Sequence, residues 1–426
     1  MKKLFQGRLW HDRDFLLLWT GESISLIGSR VTLLALPTVA ILQLHQSAFQ
    51  VGLLVALGWA PFLVLSSLTG VWADRHRRRP MMVAANAGRV VLIAAVPILA
   101  ALGVLSMWHL YVIALLSGIL TVLFQVSFQA YLPSLLGREN FVEGNARMQL
   151  SQSVAQVFGG PIAGLLIGLL GAARAMFTDA LSFLVAVFTV VLIRRPEEQP
   201  NAGMAARGVS GVLHELGEGF ATVWRTLVLR NLSIVASLGN LTLSMGNAVL
   251  FVYLYRDLHL SPASVGIAIG LGGVGFIGGA ILSQRLNEVI GVGRTILIAM
   301  LLLAASFLIL PIASLGAALA ILALSQFLAG LQSAPANVGV ATLLQSFTPN
   351  RLMGRVMGVG LNVVWGANTI GGLLGGILAQ ALGNAWALAV FGLVPLVAIL
   401  FLLGPILSYR REEAEAPTGG RRVSQT

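Results

Sequence analysis

Long apolar runs recur along this chain, and they constrain its fold more than any other feature. A helix crosses the hydrocarbon core of a bilayer in about 20 residues. Cutting the chain at charged or Gly/Pro-rich breaks leaves twelve runs of that length, which we predict to be spanning helices 1 to 12: residues 15–43, 50–73, 81–103, 109–133, 148–171, 175–193, 230–255, 262–284, 294–314, 316–342, 356–382 and 385–408.

The composition agrees with that prediction. Of the 426 residues, 57% are hydrophobic and 10% are charged, whereas a soluble domain carries roughly 25% charged residues. We therefore expect an all-α integral membrane protein. The net charge of +11 does not indicate nucleic-acid binding, because the basic residues lie in short segments between apolar runs and not on one aqueous face.

The basic residues predict the orientation. With both termini cytoplasmic, 23 of the 27 Lys and Arg residues lie on the cytoplasmic side, as the positive-inside rule requires. The exceptions are Arg174 and Arg256 at outer ends, and Arg30 and Arg89 within spans. Because losing one span would invert every later loop, this agreement supports a count of twelve, and we expect a multi-pass plasma-membrane protein.

One long polar interruption divides the spans six plus six. We predict an N-terminal six-helix bundle at 1–195, a cytoplasmic linker at 196–229, a C-terminal six-helix bundle at 230–408 and a cytoplasmic tail at 409–426. The second part of the linker, HELGEGFATVWRTLVLR, is typical of an amphipathic helix at the membrane surface. Parallel halves of this kind form transporters, with the substrate site at their interface.

A basic turn between the second and third spans carries a recognisable motif. GVWADRHRRRP, from Gly70 to Pro80, resembles the loop signature of the major facilitator superfamily. The residues at matching positions are Gly70, Asp74, Arg75, Arg78 and Arg79. A degenerate copy follows the eighth span, where Ser283 replaces the carboxylate. The resemblance implies that fold, with two pseudo-symmetric bundles.

Further stretches are similar to the branch of that family that exports drugs, macrolides and siderophores. They are LWTGESISLIGSRVTLLALP in the first span, TDALSF in the sixth, and Thr348-Pro349 with Gly354-Arg355-Val356 before the eleventh. In the fifth span, Gly160, Pro161 and Gly164 resemble the core of the antiporter signature, although Gln156 replaces its upstream glycine and the fourth span lacks the arginine of many proton-coupled exporters. The resemblance implies export, with protons as the coupling ion.

The resemblance also gives the basic turn a mechanical role. It implies that Asp74 docks on the positive N-terminal end of the eleventh span, near Gly354 and Arg355, when the protein faces outward. We expect Gly70, Asp74, Arg75, Arg78 and Arg79 to form this conformational latch.

Charged side chains within the predicted spans are costly unless they are paired or hydrated. Glu22, Ser25 and Ser29 share one face of the first span, with Arg30 beside it. We predict that Glu22 or Asp179 is the protonation site and that Arg30 modulates it; a permanent structural ion pair is the alternative. Arg89 lies about two turns from the cytoplasmic surface, where its side chain can snorkel to water, so we predict a structural role for it.

Uncharged polar residues indicate where a substrate cavity could lie. The resemblance implies that the first, fourth, seventh and tenth spans line it. Our candidates, each equally well explained by hydrogen bonding between helices, are Ser25, Gln125, Gln129, Asn240, Ser244, Asn247, Gln332 and Asn337. Phe124, Phe128, Phe251 and Trp365 could stack on a hydrophobic substrate, although helix packing explains such aromatic residues more often.

Other functional classes are less well supported. Gly270 to Gly275 satisfies a dinucleotide motif, but no strand precedes it, and HELGE lacks the second histidine of a zinc-protease helix. We expect no enzyme activity, cofactor or metal. The expected partners are a small-molecule substrate, protons and the lipid bilayer, and the expected state is a monomer. An uptake symporter, a lipid flippase and a non-transporting receptor or scaffold remain open alternatives.

Overall fold

The computed structural model describes residues 8–197, 209–349 and 352–403, and within them the side chains of 8, 66–75, 138, 209–216 and 361 lie outside the description. The described residues form thirteen long helices, preceded by a short turn at Arg8–Trp10. They are α1 Arg13–Thr38, α2 Ala48–Arg75, α3 Arg78–Ala101, α4 Met107–Gly137, α5 Glu139–Leu170, α6 Ala172–Val191, α7 Val209–Arg225, α8 Leu227–Val252, α9 Pro262–Val289, α10 Val292–Leu308, α11 Ala318–Phe347, α12 Met353–Leu382 and α13 Asn384–Leu400.

These helices confirm the predicted all-α membrane fold. Within the described residues, eleven helices are long and apolar enough to cross a membrane, and α13 is an apolar helix of 17 residues. Helices α1 to α6 correspond to the first six predicted spans, α7 to the predicted linker helix, and α8 to α13 to the remaining six. Each half therefore contributes six apolar helices, as predicted.

The fifth span begins earlier than predicted, at Glu139 and not at residue 148. Charged residues broke the apolar run here, yet they are helical, and Arg147 and Glu143 form an i,i+4 ion pair of 2.5 Å, which stabilises a helix. The Arg147 guanidinium also lies 4.4 Å from the centre of the Trp10 ring. At Gly137 the backbone takes φ +65°, which glycine adopts without a steric penalty, and this residue separates α4 from α5.

The chain alternates between two ends of the molecule. We call the end where α1, α3 and α5 begin the basic end, because it carries the Arg77–Arg79 turn, and the other the opposite end. Helices α8, α10 and α12 also begin at the basic end. The functional geometry below is described with these two terms.

Two turns at the opposite end repeat the same local structure. Helices α1 and α8 each finish in a π-helical turn, at Val39–Gln43 and Tyr253–Asp257. His45 and His259 follow with φ +54° and +52°, and the Ser47 and Ser261 side chains then cap α2 and α9. The sequence shows the repeat as LHQSAFQVG and LHLSPASVG, which we did not identify among the motifs above.

The two halves contact each other along two glycine seams. In the α2/α12 seam, a Cβ on Gly52 would lie 2.5 Å from the carbonyl oxygen of Gly372. In the α5/α9 seam, a Cβ on Gly266 would lie 2.5 Å from the carbonyl oxygen of Gly160 and 2.7 Å from the Cα of Gly164. Missing side chains thus allow backbone-to-backbone approach.

Both seams lie toward the opposite end. Gly52 and Gly266 are each a few residues from the start of their helix, α2 and α9, at that end. At the basic end of α12, by contrast, a Cβ on Gly354 or Gly358 would meet nothing within 4 Å among the described residues. The close approaches between the halves that the described residues show therefore lie toward the opposite end.

Candidate functional site

A charged cluster lies inside the N-terminal half, formed by Glu22 of α1, Arg89 of α3 and Asp179 of α6. Arg89 is 6% exposed and Asp179 is 1% exposed, whereas Glu22 is only partly buried. The Arg89 guanidinium interacts electrostatically with both carboxyl groups. We call these three residues the acid–arginine triad.

Aromatic rings fix the position of the Arg89 guanidinium. Its Cζ atom lies 4.8 Å from the centre of the Phe124 ring and 4.9 Å from that of the Phe183 ring. Its Nη2 atom also donates a hydrogen bond of 3.3 Å to the carbonyl oxygen of Leu120. Cation–π contacts of this kind strengthen when water is excluded, so α4 and α6 together hold the cation inside the half.

A glycine makes room for the Asp179 carboxyl group. A Cβ on Gly28 of α1 would lie 2.7 Å from Oδ1 of Asp179. The same oxygen accepts a hydrogen bond of 3.0 Å from the Ser182 hydroxyl. The close approach of α1 to α6 therefore depends on Gly28 and brings the two helices that carry the carboxylates together.

The two intramembrane arginines have different surroundings. The aliphatic part of Arg30 packs on α5, where a Cβ on Gly159 would lie 2.5 Å from its Cγ. Arg89, for which we predicted a structural role, is buried, at 6% exposed.

The polar cavity candidates fall into two groups. Gln125, Gln129, Asn247 and Asn337 are exposed on α4, α8 and α11, as residues that line an open cavity must be. Ser25, Ser244 and Gln332 are buried, at 5%, 3% and 2% exposed.

Three of the candidates have hydrogen-bond partners in the backbone of α8, α11 or α12. The Ser244 hydroxyl donates a hydrogen bond of 2.5 Å to the Asn368 carbonyl oxygen of α12, and the Asn240 amide donates to Ala236 of its own helix. Gln332 likewise donates to Ala329 of α11. Hydrogen bonding within and between helices therefore accounts for these three positions as they stand here.

Most of the candidate aromatic residues pack against other rings. Phe124 and Phe128 stack with ring centres 5.7 Å apart, and Phe124 also faces Arg89. Trp365 of α12 lies 5.4 Å from Phe62 of α2, which extends the α2/α12 seam toward the middle of the molecule.

The described part of the predicted latch is held within its own half. The Glu197 carboxylate accepts hydrogen bonds from the backbone N–H groups of Arg78 and Arg79, at 2.5 and 3.2 Å. This places an anion at the N-terminal end of α3, where the helix dipole favours it. The side chains of Asp74 and Arg75, like the position of a Cβ on Gly70, lie outside the described residues.

Arg79 binds the C-terminal end of the neighbouring helix α6. Its side chain donates to the carbonyl oxygens of Val190 and Val191, at 3.0 and 2.5 Å. These are terminal carbonyl groups of α6, which have no partner within the helix. Arg79 thus ties α3 to α6 at the basic end.

The linker helix α7 covers the predicted docking point of the latch. Glu218 of α7 accepts a hydrogen bond from the Arg355 guanidinium at the start of α12. Val223 of α7 and Val356 and Val359 of α12 pack in the same cluster. In this state α7 and α12 are therefore joined at the basic end by an ion pair and an apolar contact.

The antiporter-like residues of α5 form one side of the α5/α9 seam. Gly160 and Gly164 pack against Gly266, as described above. Pro161 packs against Gly270, where a Cβ would lie 2.5 Å from Cγ of the proline. The motif therefore seals the two halves together at the opposite end.

Comparison with known families gives one match over nearly the whole chain. The family described as Major Facilitator Superfamily matches residues 18–367 and 249–425. Two curated relatives are exporters by name. The chain is 27% identical over 368 residues to the multidrug efflux pump Tap of Mycolicibacterium fortuitum, covering 84% of this chain and 87% of the relative. It is 26% identical over 408 residues to the enterobactin exporter EntS of Citrobacter koseri, covering 93% of each.

Solved structures agree on the fold. The nucleoside transporter NupG, in a D323A mutant, superposes with a TM-score of 0.78 at 12% identity, covering 92% of this chain and all of that one. A bacterial homologue of the iron transporter ferroportin gives 0.69 at 17% identity, covering 95% and 100%. The chain belongs to the major facilitator superfamily and is a multi-pass membrane transporter, not an enzyme.

Proposed function

We propose that this protein is a secondary active exporter of amphipathic small molecules, of the drug, macrolide or siderophore type, driven by proton antiport. Two relatives named above, Tap and EntS, are exporters by name. The antiporter-like motif at Gly160, Pro161 and Gly164 adds support. The bundles at 1–195 and 230–408 rock against each other around the linker at 196–229, with the tail at 409–426.

The orientation follows from the distribution of basic residues. The basic end faces the cytoplasm, so both termini are cytoplasmic and the protein lies in the plasma membrane. With that orientation, the close glycine seams at the opposite end support an inward-facing state. The cavity then opens to the compartment from which an exporter takes its substrate.

The observation that carries the proposal is the acid–arginine triad beside that cavity. Carboxylates within the spans of two helices that pack together are costly unless they are paired or hydrated, and such residues often mark proton pathways. The described spans of the C-terminal half place amides, not acids, at their interior polar positions. Coupling therefore belongs to the N-terminal half, through Glu22 or Asp179, while Gln125, Gln129, Asn247 and Asn337 contact the substrate from both halves.

An uptake symporter or a lipid flippase would use the same scaffold. Transport direction separates export from uptake, since a symporter and an antiporter move substrate in opposite directions relative to the proton. A flippase would act on a labelled phospholipid without any soluble substrate. A receptor or scaffold would move nothing.

An everted-vesicle assay tests the proposal. Vesicles that contain the protein are energised to a steady, acid-inside pH gradient, and a panel of macrolides, cationic dyes and catecholate siderophores is added singly. An antiporter dissipates the gradient when its substrate enters, and the Glu22→Gln/Asp179→Asn double variant does not. A gradient that is unaffected by every compound, alongside normal membrane levels of protein, would contradict the proposal for these substrate classes.

A further inference from the structure

We propose that four amide side chains of α5 form a hydrogen-bonding wall for the substrate, and that the substrate is an uncharged molecule rich in hydroxyl and carbonyl groups. The four residues are Asn145, Gln149, Gln152 and Gln156, and we call them the amide ladder. This inference rests on the proposed export of a small molecule and adds a binding surface and a chemical class to it.

The ladder follows the repeat of an α-helix. Its members are separated by four, three and four residues, so they lie within about 60° of each other around the helix and extend over roughly 16 Å along it. Gln156, at the end nearest the glycine seam, is the residue that replaces the upstream glycine of the antiporter-like motif. The amides therefore form one continuous polar face that leads from the basic end to the α5/α9 seam.

A second exposed face of α5 is apolar. Leu150, Val154 and Phe158 are exposed and lie roughly opposite the ladder around the helix. Within a membrane, polar side chains face the protein interior or a water-filled cavity, because lipid leaves them without hydrogen-bond partners. Gly160 and Gly164, which contact α9, lie between the two faces. The apolar face is thus the one that meets lipid, and the ladder faces the space between the two halves.

The ladder side chains are available to a ligand. Three of them are exposed and Gln156 is partly buried. Within the part of the chain that the structure describes, no hydrogen bond engages any of the four side-chain amides. The amides of Asn240 and Gln332, in contrast, donate to backbone carbonyl groups of their own helices. Helix packing therefore accounts for those two polar residues and leaves the ladder unexplained.

The neighbouring helix α9 presents the opposite chemistry. A Cβ on Gly273 of α9 would lie 2.7 Å from the Gln156 carbonyl oxygen, so the two helices approach closely at the upper end of the ladder. One and two turns further toward the basic end, the same face of α9 carries Ile277 and Ala280, and both are exposed. Amides on α5 and aliphatic side chains on α9 together match a molecule with one polar and one apolar face.

The chemistry of the ladder selects uncharged groups. A primary amide offers two N–H donors and a carbonyl acceptor without any charge, so it bonds to hydroxyl and carbonyl groups alike. A cation is bound by carboxylates or aromatic faces. The acids at the basic ends of α5 and α9 are already engaged, because Glu143 pairs with Arg147 and Glu288 accepts a hydrogen bond from Gln284. A lipophilic cation would lose hydration at this wall without gaining a counter-charge.

Equilibrium binding to the purified full-length protein, without a pH gradient, tests the inference. The neutral probes are digoxin and rapamycin, which are rich in hydroxyl and carbonyl groups. The cationic probe is tetraphenylphosphonium, which has no hydrogen-bonding group. We expect at least one neutral probe to bind, and tetraphenylphosphonium to bind about ten-fold more weakly or not at all, since a site built to hydrogen-bond a ligand rejects one that lacks the matching groups.

Three variants connect that binding to the ladder. Gln149→Leu/Gln152→Leu removes two hydrogen-bonding side chains and should lower the affinity for the neutral probe about ten-fold or more. Gln152→Glu adds a carboxylate to the wall and should create binding of tetraphenylphosphonium at pH 8, a gain that a structural role would not produce. Val154→Ala, on the lipid-facing side of the same helix, is the matched control and should bind like the unmodified protein. Monodisperse elution and thermal unfolding confirm that each variant folds.

Three outcomes would overturn the inference. They are a protein that binds neither neutral probe, a folded Gln149→Leu/Gln152→Leu variant with unchanged affinity, and a folded Gln152→Glu variant that still does not bind tetraphenylphosphonium. The two proposals fail separately, because binding is measured without transport. Ladder-dependent binding in a protein that moves no probe along a pH gradient supports the inference and contradicts proton-driven export. Gradient-driven transport that the ladder variants leave unchanged supports export and overturns the inference.

Discussion

Glu218 and Arg355 form an ion pair between the linker helix α7 and the first turn of α12. The two side chains are partly exposed, at 42% and 35%, so the pair contributes roughly 0.2–1 kcal/mol. It occupies the end of α12 where the resemblance places the docking of Asp74 in the outward-facing state. We infer that the linker stabilises the inward-facing state that the latch must replace.

Breaking that pair should shift the conformational equilibrium. Glu218→Gln should lower the ratio of inward-facing to outward-facing protein by up to about five-fold, since 1 kcal/mol corresponds to that factor in an equilibrium constant. The chain has no cysteine, so spin labels at His45→Cys and His259→Cys report the opposite end unambiguously by electron–electron distance measurement. The matched control is Glu288→Gln on α9. The Glu288 carboxylate accepts a hydrogen bond of 2.9 Å from the Gln284 amide of the same helix. An unchanged distance distribution in Glu218→Gln would show that the linker does not bias the states.

Loss of the proposed latch at Asp74 should give a different phenotype. Asp74→Asn should abolish turnover while leaving membrane insertion and substrate binding largely intact, because the outward-facing state loses its inner closure. Arg77→Gln in the same turn, exposed and without a side-chain capping bond, should transport normally. Transport and binding are measured on the same reconstituted samples. Normal turnover in Asp74→Asn would reduce the turn to a topological signal.

The glycine seams should stabilise only the state in which the opposite end is closed. Gly52→Ala places a methyl group against the Gly372 carbonyl, and overpacking of this kind costs roughly 1–3 kcal/mol. We expect the inward-facing population to fall by about ten-fold or more. Gly58→Ala on the same helix meets nothing within 4 Å and gains the same helix propensity, so it isolates the clash. The spin-label pair described above measures both variants, and equal distributions in them would contradict this assignment of the seam.

A substitution at Gly28 should lower pH-driven transport more than it lowers substrate exchange at equal pH. Gly28→Ala pushes a methyl group against the Ser182 side chain and against the Asp179 carboxyl group to which the Ser182 hydroxyl donates, whereas Gly21→Ala introduces a comparable clash with Thr189 on the same α1/α6 interface. We expect pH-driven transport to fall at least ten-fold in Gly28→Ala, while substrate exchange at equal pH persists. Gly21→Ala should affect the two activities equally. If both variants lose both activities in parallel, the position of Asp179 has no special role.

The sequence predicts the spans well because each apolar run must cover a bilayer thickness of fixed size. The start of α5 was predicted too late because Glu143 and Arg147 are charged residues of the kind found in loops. In the structure they are helical, and Arg147 packs against Trp10. The surroundings of the charged residues depend on tertiary packing. Arg30 lies eight residues from Glu22 in sequence, but its side chain packs on α5, and α3, which carries Arg89, packs on α6 as α1 does.

The repeated cap before α2 and α9 could have been found in the sequence. Aligning residues 44–52 with 258–266 exposes the repeated cap before α2 and α9, including the serine that caps each helix. It also pairs Gly52 with Gly266, the two residues at the centres of the seams. The separation of Gln125 and Asn247 from the buried Ser244 and Gln332, in contrast, depends on helix rotation, which the polar pattern leaves open.

The central claim is that buried acids of the N-terminal half couple transport to protons. The most direct test reconstitutes the unmodified protein, Glu22→Gln, Asp179→Asn and the corresponding double variant in proteoliposomes. Substrate accumulation is then measured with and without an imposed pH gradient. The account predicts that the gradient drives accumulation in the unmodified protein and in neither single variant nor the double variant, although substrate exchange continues in all. Gradient-driven accumulation that survives in both Glu22→Gln and Asp179→Asn would contradict it.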